Sequence, residues 1–152
     1  MSGLFLAALF ACASGVLAED NSAAMEQATG LAKTLEAALN SKDVAKGDAT
    51  FDVDVLLDRV MVGVTTSPEF SSGFRTGAKK DSLLGRMIQA GASTTTYHFL
   101  RVRQVNGDVR ALFRMTKGNG GVNYSEWVLG KDAQGQPKFV DLYAARPLPA
   151  NS

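Results

Sequence analysis

Apolar positions along this chain recur at helical spacing through the first half and alternate in the second. From Ser22 to about Ala90 the period is helical. Ala28, Leu31, Ala32, Leu35, Ala38 and Leu39 fall at i, i+3, i+4, i+7, which places one apolar stripe on a first helix. Asp20 or Ser22 is its expected cap, and Asn40-Ser41 its expected end. A loop is expected over Lys42 to Thr50, with Gly47 inside it. A short second helix carries Val55, Leu56, Arg59 and Val60, capped by Asp52 or Asp54 and stopped at Gly63. Ser67-Pro68-Glu69 reads as a cap, a first-turn proline and an acid at the positive dipole end. The helix that follows bears Phe70 and Phe74, with a break expected near Gly77-Ala78. Asp81-Ser82 restarts a helix with Leu83, Leu84, Met87 and Ile88, ending at Gly91.

Strand signals take over at Thr94. Asn106-Gly107 predicts a type I′ hairpin, because both central residues must adopt positive φ. A two-residue turn there sets Val105 against Asp108. It also pairs His98, Leu100, Val102 and Gln104 with Met115, Phe113, Ala111 and Val109 on one mostly apolar face. The other face then collects Arg101, Arg103, Arg110 and Arg114. Lys117 to Gly120 makes a second turn, Val122 to Leu129 a third strand and Lys138 to Ala144 a fourth. Helices in a run followed by an antiparallel meander imply an α+β domain with helices covering one sheet face.

Met1 to Ala18 carries no charged side chain, and Glu19, Asp20, Asn21 and Ser22 follow it. An apolar stretch ending in small residues before polar sequence predicts a signal peptide over 1–18 and an exported, periplasmic or secreted chain. Leu9-Phe10-Ala11-Cys12 also resembles a lipobox, which would instead anchor the chain by a lipid on Cys12. Cleavage after Ala18 removes the single cysteine, so neither a disulfide nor a thiolate site is expected. The remaining residues, 19–146, suffice for one domain with its own core, and 147–152 form a proline-broken tail expected to be disordered. No transmembrane span is expected in the mature chain.

A net charge of +1 gives no bulk electrostatic reason to bind nucleic acid. Neither a cofactor nor a metal is expected. Asp48, Asp52, Asp54 and Asp58 lack the glycine and glutamate of a calcium loop, and suit helix caps and surface instead. Gly118 to Gly121 lacks the Lys-Ser/Thr end of a phosphate loop. The four arginines on one face suit either a solvated surface, an anion or an acidic partner.

The stretches Arg110-Ala111-Leu112-Phe113-Arg114, Gly121-Val122-Asn123-Tyr124-Ser125-Glu126-Trp127-Val128-Leu129-Gly130 and Val140-Asp141-Leu142-Tyr143 are similar to bacterial domains of the NTF2-like, cystatin-like α+β roll kind. The resemblance runs from about Phe51 to Tyr143. It implies a curved sheet around a helix-roofed pocket and, by analogy, a homodimer through an exposed sheet face. That fold serves isomerases, dehydratases, lipid shuttles and interaction modules alike, so it does not choose a function.

Candidate ligand-binding residues are His98, Tyr124 and Glu126. His98 is the only histidine, and on the expected register it lies on the apolar face. Tyr124 and Glu126 share one face of the third strand. If that face is inner, Glu126 could serve as a base beside His98. If it is outer, Trp127 and Leu129 enter the core. The expected function is an exported binding module for a small apolar ligand or an envelope protein partner. The alternatives are a small isomerase or hydrolase using His98 and Glu126, and a periplasmic lipid carrier.

Overall fold

The computed structural model describes residues 13–80, 82–90 and 94–145. Helix α1 spans Ala13–Ser41 and buries the expected stripe: Ala28, Ala32, Leu35, Ala38 and Leu39 are all within 3% of full burial. It does not start at Asp20 or Ser22. Ala13 to Ala18 contains no breaker apart from Gly15, so the helix runs straight through those polar positions. Its end is a Schellman motif. Lys42 takes a left-handed φ of 60°, its N–H donates to Leu39 O at 3.3 Å, and the Asp43 N–H donates to Ala38 O at 2.9 Å.

The expected loop over Lys42 to Thr50 instead holds a one-turn helix, α2 (Val44–Asp48), capped by the Asp43 carboxylate, which accepts from Lys46 N. Helix α3 (Val53–Met61) starts at Asp52, whose Oδ1 accepts from the N–H groups of Asp54 and Val55 at 2.9 and 3.1 Å. Gly63, at φ 77°, lies just beyond its end. Helix α4 (Pro68–Lys80) passes unbroken through Gly77 and Ala78. A helical glycine costs about 1 kcal/mol against alanine, which is less than the rest of the helix supplies. Helix α5 (Leu83–Ala90) is capped by Ser82, whose hydroxyl accepts from Gly85 N at 2.8 Å. Asp81, Gly91 and the tail over 147–152 lie outside the described residues, as does Cys12 with the rest of 1–12.

Four strands, β1 (Thr96–Val105), β2 (Asp108–Thr116), β3 (Val122–Lys131) and β4 (Pro137–Ala145), form one antiparallel meander in that order. The molecule is thus the expected α+β arrangement, helices first. The Asn106-Gly107 turn has φ values of 52° and 88°, as type I′ requires. From there to Arg101↔Leu112 the register is the expected one.

Beyond Arg101 the expected register fails. A bulge lets Leu100 drop out of the pairing, so that Phe99 faces Phe113 and His98 faces Arg114. His98 therefore leaves the apolar face, and Tyr97 and Phe99 take its place. The physical gain is clear. Strict alternation would have turned both aromatic rings to water to bury an imidazole and Leu100. The extra residue buries Tyr97 to 6% exposure and leaves Leu100 at 39%.

On β3 the open choice resolves toward tryptophan. Trp127 lies across from Ala111 and Leu142 at 1% exposure, and Tyr124 and Glu126 occupy the opposite sheet face. The indole meets Phe51, Phe113 and Phe139 at centroid distances of 5.7, 6.2 and 5.9 Å, each edge-on. Its Nε1–H donates to Ser125 Oγ. Helix α1 covers this cluster with Ala32, Leu35 and Leu39, and Leu84 of α5 joins it.

Each sheet edge is engaged near one end, which shortens the unpaired stretch that could invite aggregation. Along β4, the Asp52 N–H donates to Phe139 O and the Phe139 N–H to Thr50 O, adding a short parallel bridge. Along β1, Asn40 of α1 stands in for a strand: its amide donates to Tyr97 O at 2.8 Å and accepts from Tyr97 N at 2.9 Å. No helix among the described residues is long and apolar enough to cross a membrane.

Candidate functional site

His98, Tyr124 and Glu126 do not converge. Glu36 sits one turn before Asn40 on α1 and so faces the same edge of β1. Its Oε1 lies 3.0 Å from His98 Nδ1 and accepts from the Phe99 N–H at 3.2 Å. His98 is more than half exposed there, as an outer member of the edge seal. Glu126 lies across from Leu112, two strands away, and its side chain is 7% exposed. Both of its oxygens are taken by guanidinium donors, Arg103 on one and Arg110 on the other. Tyr124 lies across from Arg114. A general base needs a free oxygen within reach of the proton that it removes, and neither His98 nor Glu126 lines any of the three pockets described below.

The arginine face is a structural network over part of its area. Arg110 is its centre: it bonds Asp108 at 2.9 Å and Glu126, and stacks 5.1 Å over the Tyr143 ring. Burial works against its charge, yet the bonds to Asp108 and Glu126 outweigh that and hold the guanidinium above its ordinary value. Tyr143 donates its hydroxyl to Asp141 at 2.8 Å, and Asp141 also pairs with Arg59 of α3 at 3.3 Å. Arg101 and Arg114 lie exposed on the same face.

That network has a titration signature. The hydrogen bond to Asp141 raises the Tyr143 phenol, helped by burial and by the carboxylate charge. Burial alone raises Tyr97. A raised acid favours its neutral form in the fold, so this contribution is complete below the free tyrosine value of about 10 and is lost as pH climbs through the folded values. In an alkaline absorbance titration, Asp141→Asn is expected to bring one tyrosine down toward the free value. An unchanged curve would remove the Tyr143–Asp141 bond from this account.

The largest of three hollows among the described residues is one that the candidate residues do not touch. Helices α3 and α4 run antiparallel and enclose a groove of about 430 Å³. Its walls are Val53, Leu56, Leu57 and Val60 from α3 against Gly73, Phe74, Gly77 and Ala78 from α4, with Arg86 at the α5 side. The glycines make the space: Gly73 and Gly77 are one turn apart, and a Cβ on either would meet nothing within 4 Å. Salt bridges lace the two helices together, Asp54 to Lys79 at 2.8 Å and Asp58 to Arg75 at 2.5 Å. Apolar surface continues outside: Phe70 and Phe74 stack in parallel with centroids 6.2 Å apart, at 58% and 42% exposure, and Val62 is 80% exposed.

Two further hollows are smaller. One of about 290 Å³ lies between Met87 of α5 and Met115, Tyr124, Ser125 and Leu142 of the sheet, so Tyr124 alone of the three candidates borders a pocket. The other, about 330 Å³, is walled by polar groups including Asp48, Asp52, Asp54, Lys79 and Lys138. Its acids are occupied: Asp48 accepts from Ser82, Asp52 caps α3 and Asp54 pairs with Lys79. Among the described residues no His, Cys, Asp or Glu group is arranged to hold a metal ion.

Sequence reasoning noted Phe70 and Phe74 but missed the groove. Its signal is an i, i+4 pair of glycines beside an i, i+4 pair of phenylalanines on one helix, which is a pattern of shape and not of chemistry. No protein-family model, curated protein or solved structure matches this chain.

Proposed function

We propose that this chain is an exported binding module of the NTF2-like kind that holds a small apolar ligand in the groove between α3 and α4. The groove itself carries the reading. Its volume of about 430 Å³ falls in the range of small-molecule sites, and its lining is apolar except for Arg86. A soluble monomer rarely leaves apolar surface of this kind uncovered without a use for it. The helix–sheet interior is a weaker rival: Trp127, Phe113, Phe139, Leu35 and Leu84 fill its centre, and the hollow beside Met87 is smaller, at about 290 Å³. The separate engagements of His98 with Glu36 and of Glu126 with Arg103 and Arg110 supply no acid–base pair, which weighs against an isomerase or hydrolase.

A second reading is an envelope protein partner seated on the same groove by an apolar helix. Exposed Phe70 and Val62 favour it, because they extend the apolar surface past what a small ligand would cover.

Native mass spectrometry of the protein from its own host separates these. A small-molecule adduct is expected on a chain that starts at Glu19. A lipidated Cys12 would give a heavier chain and change the address without changing the groove. Gly77→Phe fills the groove from a position with open space and is expected to abolish the adduct while leaving the thermal midpoint close to that of the parent. A protein-sized adduct lost in Gly77→Phe would replace the ligand by a partner. An adduct that survives Gly77→Phe would remove the groove from the function.

A further inference from the structure

We propose that α4 is a lid on this groove, latched by ion pairs and released by salt. The inference rests on the reading of the groove as the binding site and adds how access to it is controlled. Four observations meet on one helix.

First, α4 has no buried residue along its whole length, so apolar burial does little to fix it. Second, its attachment to α3 is electrostatic. Asp54 and Asp58 are one turn apart on α3, Lys79 and Arg75 one turn apart on α4, and the two pairs form parallel rungs between antiparallel helices. Third, the rungs face water: Asp58, Asp54, Lys79 and Arg75 are 66, 54, 53 and 35% exposed. Exposed pairs weaken as salt screens them, and the screening length falls from about 10 Å at 0.1 M to about 3 Å at 1 M.

Fourth, the two ends of α4 are held differently. Beyond its C-terminal end, Ser82 is anchored to the body through Asp48 at 2.7 Å and caps α5. Before its N-terminal end comes the segment Val62 to Ser67, exposed at every position but Thr66 and carrying Gly63 at φ 77°. Its hydrogen bonds are short-range: Val64 N–H to Met61 O, Thr66 Oγ1 with Ser71 Oγ, and the N–H groups of Phe70 and Ser71 to Ser67 Oγ and O. Loss of the rungs therefore lets α4 swing about its Ser82 end, which opens the groove along the Phe70 and Phe74 side.

The test is amide hydrogen exchange of the ligand-free chain across a sodium chloride series. Two exposed rungs together predict that α4 amides exchange on the order of five-fold faster at 1 M than at low salt. Amides of β2 and β3 are expected to stay unchanged. Asp54→Lys sets like charges against Lys79 and is expected to speed α4 exchange already at low salt. Adding Lys79→Asp restores the rung with its polarity reversed and is expected to return the rate to that of the parent. Exchange in α4 that ignores both salt and the charge swap would overturn the lid.

Uptake of Nile red, measured in parallel, tests the groove by itself. Salt-dependent α4 exchange without Nile red uptake keeps the lid and removes the ligand reading. Uptake with salt-indifferent exchange keeps the ligand reading and removes the lid.

Discussion

Trp127→Ala is expected to cost about 3–5 kcal/mol, a large share of the roughly 5–15 kcal/mol that holds a domain of this size. The indole is 1% exposed and, among the described residues, is the one side chain that touches three other core rings, Phe51, Phe113 and Phe139. Edge-on aromatic pairs add about 0.5–1.5 kcal/mol each beyond the area they bury. Phe51 and Phe139 also carry the bridge that closes the β4 edge, so a cavity here loosens the joint between α3 and the sheet. Phe113, Phe139 and Leu35 around it are already fully enclosed, which limits how far they can move into the space. Urea unfolding followed by circular dichroism measures the loss, with Val122→Ala, 46% exposed in the parent, as the near-neutral comparison. A loss below about 1 kcal/mol for Trp127→Ala would contradict a core centred on this residue.

That centre was half legible in the sequence. The helical stripe from Ala28 to Leu39 identified the covering surface of α1, because apolar side chains at i, i+3, i+4, i+7 have nowhere else to go. Asn106-Gly107 identified the hairpin and its register near the turn, because few residue pairs tolerate two positive φ values. What failed was extrapolation. Period-two alternation predicts an unbroken register through Leu100, but Phe99 and Val102 are three residues apart and both pack against the core, which no regular strand allows. That spacing was the available sign of the bulge. It moved His98 across the sheet and dissolved the proposed pairing with Glu126. Helix α2 escaped for another reason: five residues make too short a run to show a period, and only its cap, Asp43, marks it.

The groove was invisible because it is built from what is missing. Gly73 and Gly77 contribute space and no functional group, and in the sequence Gly77 predicts a break in a helix that continues to Lys80. Asp54 and Asp58 lie on a helix surface, as their spacing predicts, but their partners Lys79 and Arg75 come from a different helix. Such pairs are set by how two helices pack, which residue spacing within either one does not encode.

Glu126 carries the second large expectation. On the sheet face away from the helices it is still buried, walled by Arg103 and Arg110. Breaking a buried ion pair from one side leaves the other charge uncompensated, which costs about 3–5 kcal/mol when both partners are enclosed. Here the two partners differ. Arg103 is 43% exposed and can turn its guanidinium to water. Arg110 is 17% exposed, held by Asp108 and stacked on Tyr143, and its Nε already lacks a hydrogen-bond partner. The cost of Glu126→Ala is therefore expected at or just below the bottom of that range, about 2–3 kcal/mol, and to come through Arg110. A double-mutant cycle checks the assignment in urea unfolding. Coupling of Glu126 to Arg110 is expected to exceed about 1 kcal/mol, and coupling to Arg103 to stay below that. Equal coupling to both would mean that exposure does not control the network. Because Glu126 lies outside the groove, Glu126→Ala is also expected to leave the bound adduct in place at temperatures where the chain stays folded. Loss of the adduct together with Glu126 would move the binding site to the sheet face and make the arginine network, not the α3–α4 groove, the part that recognises the ligand.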